Sequence, residues 1–452
     1  MNPLSFYVIT DLHYFKNSLG AYGEEYERKM DFEQKCFAET QAINEAVFDW
    51  LAQARDADIV LIAGDLTYWG EKECNTAVSE LLHDFKEKSG KRVCLVTAGH
   101  DFDRDAHSYD NDGRHDIEGT KFSELYDLYK DFGYSEAIVF NEKHLSYVAQ
   151  LNENVRLLVI CNDIDGKRNA PYDDEFFSWI EAQAKQAQQD GQMMIAMEHY
   201  PVLPGQPVFA LIDDARESQA QRLTEILADN GVHLIFTGHM HNQSINVTRT
   251  AEGNLFYDVC TGSVAATPAF IRRVTIEDKD TVKTESIPIP EFDWDKSGLS
   301  GKEYLRNQFD RMLRSYAATM ADNPVRFMGK LGIKPTPALE KIIPFLGKRL
   351  NRITTGTLAR LLFTHADAEL KDKLFVDFAV EMVRSVFEGN QPYKEGTPGG
   401  DTLLRIFRRL SPFLKNLKGA QGETLDFYET MKHTVGNYGI DDYDAVLKLS
   451  EN

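Results

Sequence analysis

Hydrophobic positions follow two regimes along the chain. Up to about residue 290, short apolar runs of strand length alternate with amphipathic stretches of helical length. Ser5–Thr10, Ile59–Ala63 and Arg92–Thr97 are rich in β-branched and aromatic residues and bounded by polar residues or glycine, so they read as strands. Phe37–Ala54 and Cys74–Ser89 space their apolar residues three and four apart and read as helices. This order predicts βαβ units and a largely parallel sheet. Leu145–Gln150, Val155–Cys161, Met193–Met197, His233–Thr237, Asn254–Cys260 and Arg272–Glu277 extend the strand series. No long helix separates the last two, which predicts antiparallel pairing. A mixed α/β sandwich of two sheets flanked by helices accommodates both kinds of pairing.

The pattern changes after Ile287-Pro288-Ile289-Pro290, which reads as an extended linker. Beyond it, helical spacing dominates over Glu303–Met320, Ala338–Arg349, Ala368–Phe387, Leu403–Leu417 and Glu423–Lys432. The expected organisation is a catalytic α/β domain at 1–290 and a C-terminal all-helical domain at 291–452. The apolar faces of these helices need burial, either against the first domain or in an oligomer, and the pattern leaves both open.

Composition narrows the function. With 42% hydrophobic and 27% charged residues, the chain is an ordinary globular protein. Its net charge of −21 argues against a protein that neutralises duplex nucleic acid. A small anionic substrate stays compatible, because bound divalent cations reverse the local sign. The five cysteines are scattered without a CxxC pair, so neither a disulfide framework nor a zinc ribbon is expected. The N-terminal residues lack a leader pattern and no apolar run reaches membrane-spanning length, which makes a cytoplasmic protein without a membrane span the expectation.

The chemistry sits where the strands end. Asp11-Leu12-His13, Gly64-Asp65, Gly99-His100-Asp101, His199-Tyr200-Pro201 and Gly238-His239-Met240-His241 each follow a strand-like run. Ligands in α/β sheets bind beyond the carboxyl ends of the strands. Residues two apart on extended backbone project to one side, so Asp11 with His13, and His239 with His241, are expected to converge. Imidazoles combined with carboxylates suit manganese, iron or zinc. The two oxygens of Asp65 are able to bridge a pair of cations.

These blocks resemble the calcineurin-like metallophosphoesterase superfamily, whose pattern runs D-x-H, G-D, G-N-H-D/E, H, G-H-x-H. Within it the chain is most similar to bacterial class III cyclic-nucleotide phosphodiesterase-like proteins with a C-terminal helical extension. The resemblance implies a four-layer α/β/β/α sandwich of two mixed sheets and two divalent metal ions. It implies that Asp11, His13 and His241 hold one ion, His199 and His239 the other, and that Asp65 bridges. It further implies attack on phosphorus by a metal-bound hydroxide, with His100 donating the leaving-group proton and Asp101 orienting its ring. One departure stands out: Gly99 occupies the position of the family's Asn ligand, which implies a weaker second metal site unless Asp101 or Asp103 substitutes.

Substrate contacts are expected from Arg104, Tyr14 and Tyr200, which flank the motifs. The long polar segment from Phe102 to Gly119 reads as a lid. The expected activity is hydrolysis of a phosphodiester, a cyclic nucleotide or similar small diester. Two other readings stay open: a phosphomonoesterase or pyrophosphatase acting on nucleotides or lipid-linked phosphates, and a scaffold with a vestigial metal site.

Overall fold

A computed structural model describes residues 2–102, 105–164, 166–325, 337–414 and 417–450. Strands β1 (Leu4–Ile9), β2 (Ile59–Ala63) and β3 (Arg92–Val96) come first, followed by a small hairpin of β4 (His107–Asp110) and β5 (Gly113–Asp116). Then come β6 (Ala137–Asn141), β7 (Ser146–Asn152), β8 (Val155–Val159), β9 (Met193–Met197), β10 (Leu234–Thr237), β11 (Ser244–Arg249) and β12 (Leu255–Cys260). The series closes with β13 (Phe270–Ile276), β14 (Thr281–Pro288), a short pair β15 (Leu417–Lys418) and β16 (Thr424–Leu425), and β17 (Ala445–Lys448). Two sheets form the body, one ordered β17-β14-β13-β1-β2-β3 and the other β11-β12-β10-β9-β8-β7-β6.

The strand period of two sorts side chains between the layers. Phe6 of β1 meets Phe236 of β10 edge to face at 5.5 Å, between the sheets, while its neighbour Tyr7 packs on Trp50 of the helix Thr40–Gln53. In the second sheet Leu157, Val159, Ile195, Met197 and Phe236 join the central core. Their neighbours Leu158, Ile160, Met194, Ala196 and Ile235 join a separate outer core with Phe176, Phe177, Ile180, Leu223 and Leu227, from helices Asp174–Gln189 and Ala220–Asp229. The result is the expected mixed α/β sandwich.

Several expectations need correction. The runs now seen as β12 and β13 do not pair with each other; they lie in different sheets, and β13 pairs antiparallel with β1 and β14. Ile287 and Pro288 are the end of β14 rather than a linker. The proline sits at a strand terminus, where its missing N–H costs no ladder bond. The segment read as a lid carries the β4–β5 hairpin, whose Tyr109 bridges to Ala21.

From residue 291 the chain is mainly helical, and it docks rather than hangs free. The helix Gly301–Asp322 starts at a capping box of Ser300 and Glu303, and Gln308 on it donates to the carbonyls of Met30 and Glu33. β17 then pairs antiparallel with β14, so the first sheet takes a strand from beyond residue 290. No helix among the described residues is long and apolar enough to cross a membrane.

Candidate metal centre

β1, β2 and β3 of one sheet and β9 and β10 of the other end at a common locus. The loops leave these strands through left-handed backbone. Asp11, His13, Asp65, His239 and His241 have φ of 53°, 41°, 53°, 66° and 49°. Each costs a side-chain-bearing residue roughly 1 kcal/mol or more and persists only where surrounding bonds hold it. Here Asp11 N–H donates to the Gly64 carbonyl at 2.9 Å, His13 N–H to the Asp65 carbonyl at 3.0 Å, and His239 N–H to Asp11 Oδ2 at 3.0 Å. The i, i+2 pairs therefore converge through tight turns, not through the extended backbone the spacing suggested. Gly64, at φ 89°, has no room for a side chain, since a Cβ would lie 2.7 Å from His199 Nδ1.

Asp11, His13 and His241 form one cluster at ligand spacing, Asp65, His199 and His239 form a second, and a third group of His13, Asp65 and His100 joins the two. In the first, His13 Nε2 and His241 Nε2 are 3.0 Å apart, and Asp11 Oδ1 lies 3.1 Å from His241 Nε2 and 3.5 Å from His13 Nε2. In the second, His199 Nε2 is 3.1 Å from Asp65 Oδ2, and His239 completes the group. Asp65 Oδ2 also lies 3.8 Å from His13 Nε2, so one oxygen faces both clusters. Asp11 Oδ1 is buried without a hydrogen-bond partner. Carboxylate oxygens and ring nitrogens about 3–3.5 Å apart are what bonds of about 2.0–2.2 Å to one cation require, so the donor set fits two divalent ions.

Outer contacts fix the rings. His199 Nδ1 donates to the Ala63 carbonyl at 2.7 Å, which leaves Nε2 free for a cation. His239 Nε2 bonds the Asp214 carbonyl at 2.6 Å, which leaves Nδ1 free. The helical region buttresses that segment, because Val386 and Phe387 pack with Phe209, Ala215 and Met240.

Burial drives the carboxyl pKa of Asp11 and Asp65 up, but the surrounding imidazoles outweigh it and hold both well below the usual range. Burial, then the Lys35 ammonium, pushes His13 down to about 4; burial, then His199, pushes His239 down to about 4. His199 goes the other way. Burial lowers its pKa, but Asp65 overcomes this and lifts it to about 10.

His100 borders the centre, with Nε2 4.0 Å from Asp65 Oδ2. Its Nδ1 bonds the Tyr68 carbonyl, and burial followed by the Lys35 charge holds the ring neutral. Asp101 does not orient it. The Asp101 carboxylate instead accepts N–H bonds from Leu66 at 2.6 Å, Thr67 at 3.0 Å and Ala98 at 2.7 Å, which clamps the loop after β2 to the loop after β3. These bonds engage both its oxygens, so Asp101 is not a spare metal ligand either.

The expected substrate contacts fare unevenly. Tyr14 is buried in the central core, with its N–H on the Leu66 carbonyl and its charged neighbours Glu45 and Glu80 on the flanking helices, so it does not line the site. Tyr200 is at the site but fully buried, its ring 4.4 Å from that of His239, so it supports the ligand rather than meeting solvent-borne substrate. Arg104 and Asp103 lie outside the described residues. Two cations escaped the sequence reading. Lys35 is buried over the faces of Tyr68 and Trp69, at 4.5 and 5.4 Å, and no periodicity marks it. Arg168 reaches Tyr200 from the loop after β8; its one trace in the sequence is the missing side chain at Gly99.

A family model for calcineurin-like phosphoesterases matches residues 4–243, from the start of β1 to just past His241. No curated protein sequence matches the chain. Among solved structures, a dimetal phosphatase from Danio rerio is similar at 11% identity and a TM-score of 0.46, covering 64% of this chain and 96% of its own. A purple acid phosphatase from yellow lupin (Lupinus luteus) seeds is similar at 13% identity and a TM-score of 0.43, covering 64% of this chain and 52% of its own. The NAD nucleotidase of Haemophilus influenzae is similar at 11% identity and a TM-score of 0.37, covering 78% of this chain and 62% of its own.

Proposed function

As the chain belongs to the calcineurin-like phosphoesterase family and is thereby a phosphoester hydrolase, we propose that its substrate is a phosphodiester, a cyclic nucleotide or similar small diester. The observation that carries this reading is the two clusters at ligand spacing, Asp11 with His13 and His241 and Asp65 with His199 and His239, joined through His13, Asp65 and His100. Two divalent ions of manganese, iron or zinc would be held by Asp11, His13, Asp65, His199, His239 and His241 and would supply a lowered water pKa and positive charge for the transition state.

The protein's own groups do the rest. His100 presents Nε2 to the centre because Nδ1 is tied to Tyr68. The negative charge of a bound ester raises the affinity of that ring for a proton, Nε2 takes one from solvent, and the imidazolium passes it to the leaving oxygen and returns to the neutral ring. Asp101 keeps His100 in place through the loop it clamps, acting as a positioning residue. Charge supports a diester over a monoester: the chain is strongly acidic, Asp214 stands beside the site, and a diester brings one negative charge where a monoester brings two. With no side-chain donor at Gly99, the second cluster would hold its cation more weakly than the first.

The test is a manganese-dependent assay of bis-p-nitrophenyl phosphate against p-nitrophenyl phosphate, with calorimetric titration of the metal. Diester turnover and two unequal sites are expected. A preference for the monoester, or two equally tight sites, would overturn the corresponding part. His100→Ala is expected to lower kcat by about 10²–10³-fold with metal stoichiometry unchanged; loss of one metal would make His100 a ligand instead.

A further inference from the structure

Gly99 is a glycine for want of space. Its backbone lies outside the left-handed region, yet a Cβ there would sit 2.3 Å from Arg168 Nε and 2.6 Å from both Cδ and Cγ. The stem of Arg168 fills the volume that any other residue at 99 would claim. What looks in the sequence like a missing ligand is in the structure an exchange of one side chain for another.

The guanidinium is held at the second cluster. Nε donates to the Tyr200 hydroxyl at 3.3 Å, and that ring packs on His239. Among the described residues its nearest carboxylate is Asp214, 3.7 Å from Nη2, too far for a hydrogen bond. Arg168 is only 18% exposed. Burial opposes its charge, but Tyr200, Asp65 and Asp214 outweigh this and keep it cationic. Its field reaches across the centre, since it lowers the pKa of both His100 and His239. A part-buried guanidinium whose two terminal nitrogens have no hydrogen-bonded acceptor among the described residues is poised for an anion.

We propose that Arg168 is the phosphate-binding arm of this site and that Gly99 is the opening that admits it. This rests on the phosphoester reading above, and it assigns to Arg168 the contact the sequence suggested for Arg104. A planar guanidinium offers paired N–H donors to two non-bridging phosphoryl oxygens, and it stays in place as charge builds on them. The same charge beside His239 and Asp65 disfavours a second cation until an anion arrives, so metal and phosphate strengthen each other's binding.

The test uses the full chain and two calorimetric titrations, manganese alone and then inorganic phosphate on the manganese-loaded protein. Arg168→Ala is expected to weaken phosphate binding about tenfold or more without weakening manganese. Arg168→Lys recovers only part of that loss, because it restores the charge without the paired donors. Gly99→Asn is expected to lose phosphate affinity as well, and combining it with Arg168→Ala adds no further loss, since both remove the same contact. Phosphate affinity within about twofold of the parent in Arg168→Ala, or additive losses in the double variant, overturns the proposal. If Gly99→Asn does not fold, the comparison of Ala with Lys at 168 still decides. Phosphate binding that depends on Arg168 in a protein with no esterase turnover sinks the proposed activity alone; turnover with Arg168-independent phosphate binding sinks this proposal alone.

Discussion

At the scale of single residues, the centre is defined by where its protons sit. Asp65 lifts the pKa of His199 to about 10, which favours a proton on this side chain at neutral pH in the metal-free protein. Binding a cation must expel it. Manganese titrations at pH 7 in buffers of different ionisation enthalpy should therefore show about one proton released, with affinity rising as pH increases toward 10. Stability runs the opposite way. A histidine whose folded pKa exceeds its ordinary 6.5 stabilises the metal-free fold fully below pH 6.5, and that contribution disappears as pH rises through about 10. His13 and His239, at about 4, contribute stability that is lost as pH falls from 6.5 toward 4. A buffer-independent binding enthalpy would contradict the protonated state. All six clustered residues were legible in the sequence because each is an Asp or His at the end of an apolar run. Lys35 and Arg168 were not, because loops carry no period and nothing local indicates which cation turns inward. The role of Asp101 was misread for a related reason. Adjacency to His100 suggested a side-chain partner, whereas its true partners are backbone N–H groups of a loop more than thirty residues earlier.

Between elements, the decisive contact is that clamp. Three buried N–H groups from the loops after β2 and β3 end on one carboxylate, so removing it orphans all three. Asp101→Ala is expected to cost about 3–5 kcal/mol in urea melts and to loosen metal binding, because the Asp65 loop loses its anchor. Asp101→Asn retains one acceptor oxygen and should fall between. A melt unchanged in both variants would remove the clamp from the account. β1, β2 and β3 were readable because both of their faces are buried and their sequences are continuously apolar. β14 was not, since Lys283 and Glu285 face outward within Thr281–Pro288, and β17 was not, since Ala445–Lys448 is only four residues long with Val446 and Lys448 exposed. The placement of β12 and β13 in separate sheets was equally unreadable, because a short connection joins strands between layers as readily as within one.

For the molecule as a whole, the helical region is stitched into the sandwich around Arg272. This fully buried β13 side chain donates to Thr261 Oγ1 at 3.3 Å, to the Cys260 carbonyl at 3.1 Å and to the Asp442 carbonyl at 3.2 Å. The Asp442 carboxylate in turn accepts the N–H groups of Ile245 on β11 at 2.9 Å and of Asn390 at 2.7 Å. A fragment of residues 1–290 therefore keeps the buried guanidinium, loses its countercharge and exposes the β14 edge. It is expected to be insoluble or to melt well below the full chain, and Asp442→Ala in the full chain should cost about 3 kcal/mol. A fragment with the full chain's melting temperature would show that the two parts are independent. The late position of β17 also sets a schedule for the making of this protein. All four loops that carry the clustered residues have been synthesised by residue 241, yet the sheet behind two of them lacks its last strand until residue 448 has been added. For on the order of 10 s of translation the nascent chain carries these loops while the β14 edge of the sheet is unpaired. Chaperone occupancy should peak in that interval, after the catalytic sequence is complete and before its last strand arrives.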